Sequence, residues 1–98
     1  MHIHLTGHNV QITKAIREYV TDQFAKLEHH YDHINSIRVV IRLEGQKQVA
    51  DAKLRVNGGK LFASAENANM YAAIDSLTSK LDRQLLRHKA KLNKFRQK

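Results

Sequence analysis

The chain predicts an α+β domain with the element order β-α-β-β-β-α, a four-stranded mixed sheet with two helices packed on one face. Three observations carry this expectation. Four segments alternate apolar and polar side chains, so each strand has one face to bury. Two longer segments repeat apolar residues at the helical period. Asn57-Gly58-Gly59 supplies residues that tolerate the positive φ of a tight hairpin turn.

The elements follow in order. From His2 to Thr6, Ile3 and Leu5 share one face and His2, His4 and Thr6 the other, which predicts a short strand ended by Gly7. Thr13 suits a helix N-cap, and Ile16, Val20, Phe24 and Leu27 then form a stripe that predicts a helix from about Lys14 to His30. Ile37, Val39, Ile41 and Leu43 alternate with Arg38, Val40, Arg42 and Glu44, the clearest strand pattern in the chain. Gly45-Gln46-Lys47-Gln48 reads as a polar break. Ala50, Ala52, Leu54 and Val56 predict the third strand; Leu61, Ala63 and Ala65 predict the fourth, with Phe62 and Ser64 on its other face. Alanines at 50, 52, 63 and 65 leave room for a helix close to the sheet. The final helix starts near Asn67 or Asn69 and carries Met70, Ile74, Leu77, Leu81, Leu85, Leu92 and Phe95 on one stripe.

Two helices on one face of the sheet bury every one of these stripes. The first two strands, joined through a helix, should be parallel with a right-handed crossover, and the later neighbours antiparallel. Ninety-eight residues make one domain, residues 1–98. The last helix outreaches the sheet: about 28 residues span roughly 40 Å, against roughly 20–27 Å for the strands. Residues after about His88 are expected to overhang as a basic helix end that frays alone and orders on a partner.

Composition narrows the function. Net charge is +8 and the sequence pI is near 10.1, which points to nucleic acid or an anionic membrane. With no Cys there is no disulfide or thiol chemistry, which fits a cytosolic protein. No signal peptide is recognisable at Met1-His2-Ile3-His4, and the longest aliphatic run is Val39-Val40-Ile41, so no membrane span is expected.

The charge is concentrated in the last third. From Asn67 onward eight Lys and Arg face two acids, Asp75 and Asp82, which places six of the eight net charges there. At about 100° per residue, Lys80, Arg83, Arg87, Lys91 and Lys94 fall in a band centred roughly 115° to one side of the apolar stripe, and both acids fall on the other flank. An ordinary surface helix pairs Glu with Lys at i,i+4. Here Arg83, Arg87 and Lys91 repeat at that spacing with no acid among them. A repulsion retained in this way implies a polyanion that relieves it, and RNA suits the rest of the chain best. The first helix mixes Arg17 and Lys26 with Glu18, Asp22 and Glu28, so its cations are secondary candidates.

Other chemistry is thinly supported. His2 and His4 share a strand face, and His29 and His33 are four apart, but no Cys or adjacent acid completes a metal shell at His2 and His4, so no metal and no cofactor are expected. Exposed histidines adding charge below about pH 6.5 are the simpler account. Among the aromatics, Phe24 and Phe95 belong to apolar stripes, whereas Phe62 and Tyr71 could be exposed; shape and phosphate recognition are favoured over base readout. There is no nucleophile elbow and no phosphate-cradling loop, so no enzyme is expected. The last helix's seam is needed by the sheet, which argues against a coiled coil. Leu86 is nearly the only large apolar residue off that seam, which argues against a membrane-surface helix.

Thr6-Gly7-His8-Asn9-Val10-Gln11-Ile12-Thr13 leading into Ala15-Ile16-Arg17, then Phe24-Ala25-Lys26-Leu27-Glu28, Ala50-Asp51-Ala52, Val56-Asn57-Gly58-Gly59, Met70-Tyr71-Ala72-Ala73-Ile74-Asp75, Lys80-Leu81 and Arg83-Gln84-Leu85 resemble the short ribosome hibernation promoting factors, of the ribosome-associated inhibitor and sigma-54 modulation protein family. The resemblance covers nearly the whole chain. It implies the β-α-β-β-β-α fold, similar in shape to double-stranded RNA-binding domains. It implies a bacterial cytoplasmic protein of the stress response and stationary phase, monomeric when free. Such proteins bind the small ribosomal subunit and its rRNA in the mRNA and tRNA channel, block translation by occupancy, and act with a second small hibernation factor to favour inactive ribosome dimers. Long members carry a further C-terminal dimerisation domain, and the related inhibitor carries an acidic C-terminal extension. The Lys94-Phe95-Arg96-Gln97-Lys98 end matches the dimer-promoting short branch better. Together, residue chemistry and resemblance assign rRNA contact to Lys80, Arg83, Arg87, Lys91 and Lys94, with Arg17 and Lys26 in support. A general double-stranded RNA-binding module is the alternative.

Overall fold

The computed structural model describes residues 2–31 and 33–96, with side chains described up to residue 90. Its elements are β1 (His2–His8), α1 (Lys14–His30), β2 (Ile34–Glu44), β3 (Lys47–Val56), β4 (Gly59–Asn67) and α2 (Met70–Arg96). The sheet order is β1-β2-β3-β4. β1 runs parallel to β2, with Leu5 beside Val39, and the two later pairs are antiparallel, with Val39 opposite Ala52 and Ala52 opposite Ala63. The expected architecture is present, including both helices on one face.

Local chemistry explains the boundaries. Thr13 caps α1: its hydroxyl accepts the Ile16 amide at 3.1 Å. Asn69 caps α2, its side-chain oxygen accepting from Tyr71 N at 2.8 Å and Ala72 N at 3.4 Å. Three expected boundaries move. Gly7 does not end β1; the strand continues through it to His8, and the chain turns at Asn9, which takes φ 58°. Gly7 instead sits where the returning loop comes closest. A Cβ there would collide with the Val10 carbonyl oxygen and press on Ile12 Cγ1 at 3.2 Å. The polar break shrinks to Gly45-Gln46, because Glu44 pairs with Lys47 in a tight hairpin that Gly45 permits at φ 61°. Likewise Gly59 joins β4 opposite Val56, leaving Asn57-Gly58 as the turn.

One core lies between the sheet and the helices. Ile37, Val39, Ile41, Leu54 and Val56 from the sheet meet Val20, Phe24 and Leu27 from α1 and Ile74, Leu77, Leu81 and Leu85 from α2. α2 lies against β3 and β4, the two strands whose inward positions are Ala50, Ala52, Ala63 and Ala65. Small side chains let the helix approach closely, as the alanine pattern predicts. α1 lies beside α2. Among the described residues no helix covers the opposite face of the sheet. Leu92 and Phe95, placed on the α2 stripe by periodicity, lie outside the described side chains. The helical backbone itself continues past His88 to Arg96.

Gly7→Ala should destabilise the fold by about 1–3 kcal/mol in urea denaturation, because backbone must move to admit the methyl group. Gly45→Ala, facing open space, should cost only about 1 kcal/mol from its left-handed φ.

Candidate nucleic-acid interface

The rotation of α2 about its axis builds this surface. Leu77, Leu81 and Leu85 face the sheet and are buried. Asp75 and Asp82 consequently face α1, where both are engaged. Asp75 accepts the Tyr19 hydroxyl, and Asp82 lies 2.6 Å from His30 Nδ1. Tyr71 adds an edge-on contact to Tyr19, with ring centroids 5.0 Å apart. The acidic flank thus holds the two helices together. The Tyr19 phenol is raised above its ordinary value of 10.0, chiefly by the hydrogen bond to Asp75 and then by burial and the carboxylate's charge.

The cationic flank falls on the other side, over the exposed edge of β4. Arg83 and Arg87 are exposed, and no carboxylate pairs with either among the described residues. With Lys80, Gln84, Leu86, Phe62 and Ser64 they border an open groove of about 580 Å³ between α2 and β4. Lys80 departs from the expectation of a simple outward charge. Its ammonium donates to the Ser64 carbonyl at 2.7 Å, and one turn later Gln84 Nε2 donates to the Phe62 carbonyl at 2.9 Å. One turn further, His88 Nε2 lies 3.0 Å from the Asn57 carbonyl, which can only accept, so the imidazole donates. These three residues at i,i+4 spacing satisfy carbonyls along β4 and its turn, and they cover an edge that would otherwise be open to pairing. Gln84 and His88 were not singled out by sequence, since a lone hydrogen-bonding side chain on a helix announces no partner.

Arg17 and Lys26 do not join this surface. They lie nine residues apart on α1, about 180° around the helix. Lys26 borders the small cleft between α1 and α2 with His30 and Asp82 and lies 3.5 Å from Gln23 Oε1. The side chains of Lys91 and Lys94 lie outside the described residues, although the helix that carries them continues.

The family model described as Sigma 54 modulation protein / S30EA ribosomal protein matches residues 3–93. The chain belongs to this family. A relative from Salmonella typhimurium named ribosome hibernation promoting factor is 55% identical over 92 residues, covering 94% of this chain and 97% of that protein. One of the same name from Escherichia coli K12 is 54% identical over the same shares. Among solved structures, a ribosomal subunit interface protein from Coxiella burnetii superposes with TM-score 0.88 at 33% identity, covering 92% of this chain and 99% of that one. The N-terminal domain of Protein Y from Thermus thermophilus gives 0.84 at 37%, covering 90% and 99%. The S30EA family is one of ribosome-associated binding proteins, not enzymes. Among the described residues no three His, Asp or Glu side chains gather as a metal site, and no helix is long and apolar enough to cross a membrane.

Asp75→Asn should return the Tyr19 phenol toward 10.0, visible as an earlier transition in alkaline ultraviolet titration. Because the folded value is raised, the bond's contribution to stability is present below pH 10.0 and is lost as pH rises through the folded value. The stability gap between the parent and Asp75→Asn should therefore close at alkaline pH.

Proposed function

We propose that this chain is a ribosome hibernation factor that binds the small ribosomal subunit in its mRNA and tRNA channel and silences translation by occupancy. The observation that carries this is the flank of α2 around Arg83 and Arg87, neither of which is paired with a carboxylate among the described residues, on a chain 55% identical over 94% of its length to a ribosome hibernation promoting factor. Arg83 and Arg87 can each grip a phosphate in bidentate fashion. Helical periodicity of the sequence assigns Lys91 and Lys94 to the same flank as point charges. Lys80 contributes charge while bonded to β4, and Arg17 and Lys26 meet other parts of a partner that surrounds the domain. The free protein is a cytoplasmic monomer that acts in slow growth, together with a second small factor, to favour inactive ribosome dimers.

The acids of α2 support this assignment because they are committed to α1. A polyanion approaching from the β4 side meets cations while the acids of the same helix are engaged by Tyr19 and His30 of α1. If about six phosphates are neutralised, affinity should fall with salt at a log-log slope of about −4 to −5.

Changing Lys80, Arg83, Arg87 and Lys91 together to Glu should abolish co-sedimentation with small subunits in sucrose gradients and remove the ribosome-dimer peak. Arg83→Glu with Arg87→Glu alone should do most of this, with the β4 hydrogen bonds kept. Unchanged co-sedimentation by a folded double variant would refute the proposal. Equal affinity for a free RNA hairpin and for small subunits would favour a general duplex-RNA binder instead.

A further inference from the structure

The uncovered face of the sheet is divided by charge. Its half near the β2–β3 turn is internally neutralised. Arg42 bonds Glu44 at 2.7 Å and also Asp51, Ser64 bonds Asp51, and Lys47 lies 3.5 Å from Glu66. These bonds hold the Arg42 guanidinium above its ordinary value, with Glu44 the larger cause and Asp51 next. Val49, although on this face, is buried between its register neighbours Arg42 and Glu66, as expected if the arginine stem lies over it.

The other half has the opposite design. Arg38 stands directly opposite Lys53, and Arg55 directly opposite Lys60. Like charges in cross-strand register destabilise a sheet. No carboxylate pairs with any of the four among the described residues. The four line a depression of about 470 Å³ whose border contains no acid. The register extends Arg38 and Lys53 into a row that runs His4, Arg38, Lys53, Phe62 across all four strands, about 14 Å at ordinary strand spacing. Phe62 closes that row and is 54% exposed. Phe62 also borders the groove that holds Arg83 and Arg87. The aromatic side chain thus stands on the ridge between two cationic surfaces.

We propose that this half of the open sheet is a second RNA site, one that takes a single strand, with Phe62 stacking on a base and Arg38, Lys53, Arg55 and Lys60 following the phosphates. A duplex keeps its base faces stacked inside and cannot use an exposed phenyl ring. A single strand supplies both a backbone for the cations and a free π-face for the ring, and phenylalanine, lacking hydrogen-bond groups, stacks without demanding a sequence. The proposal extends the one above in that both surfaces take RNA, but it rests on different cations, on the far side of β4. A domain with both sites holds a structured wall on α2 and an unpaired strand on the sheet.

The test is fluorescence anisotropy of a labelled, unstructured ten-nucleotide RNA, with a blunt RNA hairpin as comparison and the full chain throughout. Phe62→Ala should weaken binding of the single strand about fivefold or more, a clearly larger loss than it causes for the hairpin. Arg38→Glu with Lys53→Glu should weaken the single strand at least tenfold. Phe62→Trp should retain binding. The chain has no native Trp, so quenching of that variant's indole emission by the RNA reports stacking directly. An unquenched indole together with a neutral Phe62→Ala would overturn the stacking site. Equal losses from Arg38→Glu with Lys53→Glu and from a Lys14→Glu control on α1 would mean diffuse charge attraction only, and would overturn it as well. Arg83→Glu with Arg87→Glu separates the two proposals. Loss of small-subunit binding there, with indole quenching intact, supports both. Retained small-subunit binding in that variant refutes the α2 interface whatever the sheet does.

Discussion

The burial of α2 against the alanine-lined face of β3 and β4 is the constraint on which the rest of this structure depends. Leu77, Leu81 and Leu85 can be buried in only one rotation of the helix, and that rotation settles where every charge on it goes. Asp75 and Asp82 are carried to α1, and Arg83 and Arg87 are carried over the β4 edge. Substituting the apolar stripe would therefore damage more than stability. A helix free to roll would present acids and cations to the same partner.

On α2 and on the open face of the sheet the acids are used internally: Asp75 with Tyr19, Asp82 with His30, Asp51 with Arg42 and Ser64, Glu44 with Arg42, and Glu66 with Lys47. These exposed contacts contribute little stability individually. Their collective effect is to remove negative potential from two surfaces, the outer flank of α2 and the half of the open sheet face around Arg38, Lys53, Arg55 and Lys60. A net charge of +8 spread evenly would attract any polyanion weakly. Segregated in this way, it offers defined surfaces with a shared boundary at Phe62. Lys80 and Gln84 complete the design by occupying β4 carbonyls, so the edge beside the interface is closed to strand addition.

Much of this could be read from residue order. The cap at Thr13, both helices and the alternation of all four strands depend on neighbours within a few positions, and local pattern reports them directly. The misplaced boundaries had a different origin. Gly7 resembles a strand terminator by composition, yet it is glycine because Val10 and Ile12 return against it, a contact between loop and strand that no local pattern encodes. Gly45-Gln46-Lys47-Gln48 looked like a four-residue loop because polar side chains in an exposed hairpin give no alternation to count.

Residue order alone determined the angular separation of acids and cations on α2, because 100° per residue is a local property of any α-helix. It also determined that one face of each strand must be covered. Tertiary structure alone decided what lies beside each flank: α1 next to Asp75 and Asp82, and the β4 edge next to Lys80, Arg83 and Arg87. It also set Arg38 opposite Lys53 and in line with Phe62. Those neighbours come from strand register and helix docking, which join residues far apart in the chain, and hydrophobic periodicity within a single element contains no information about them.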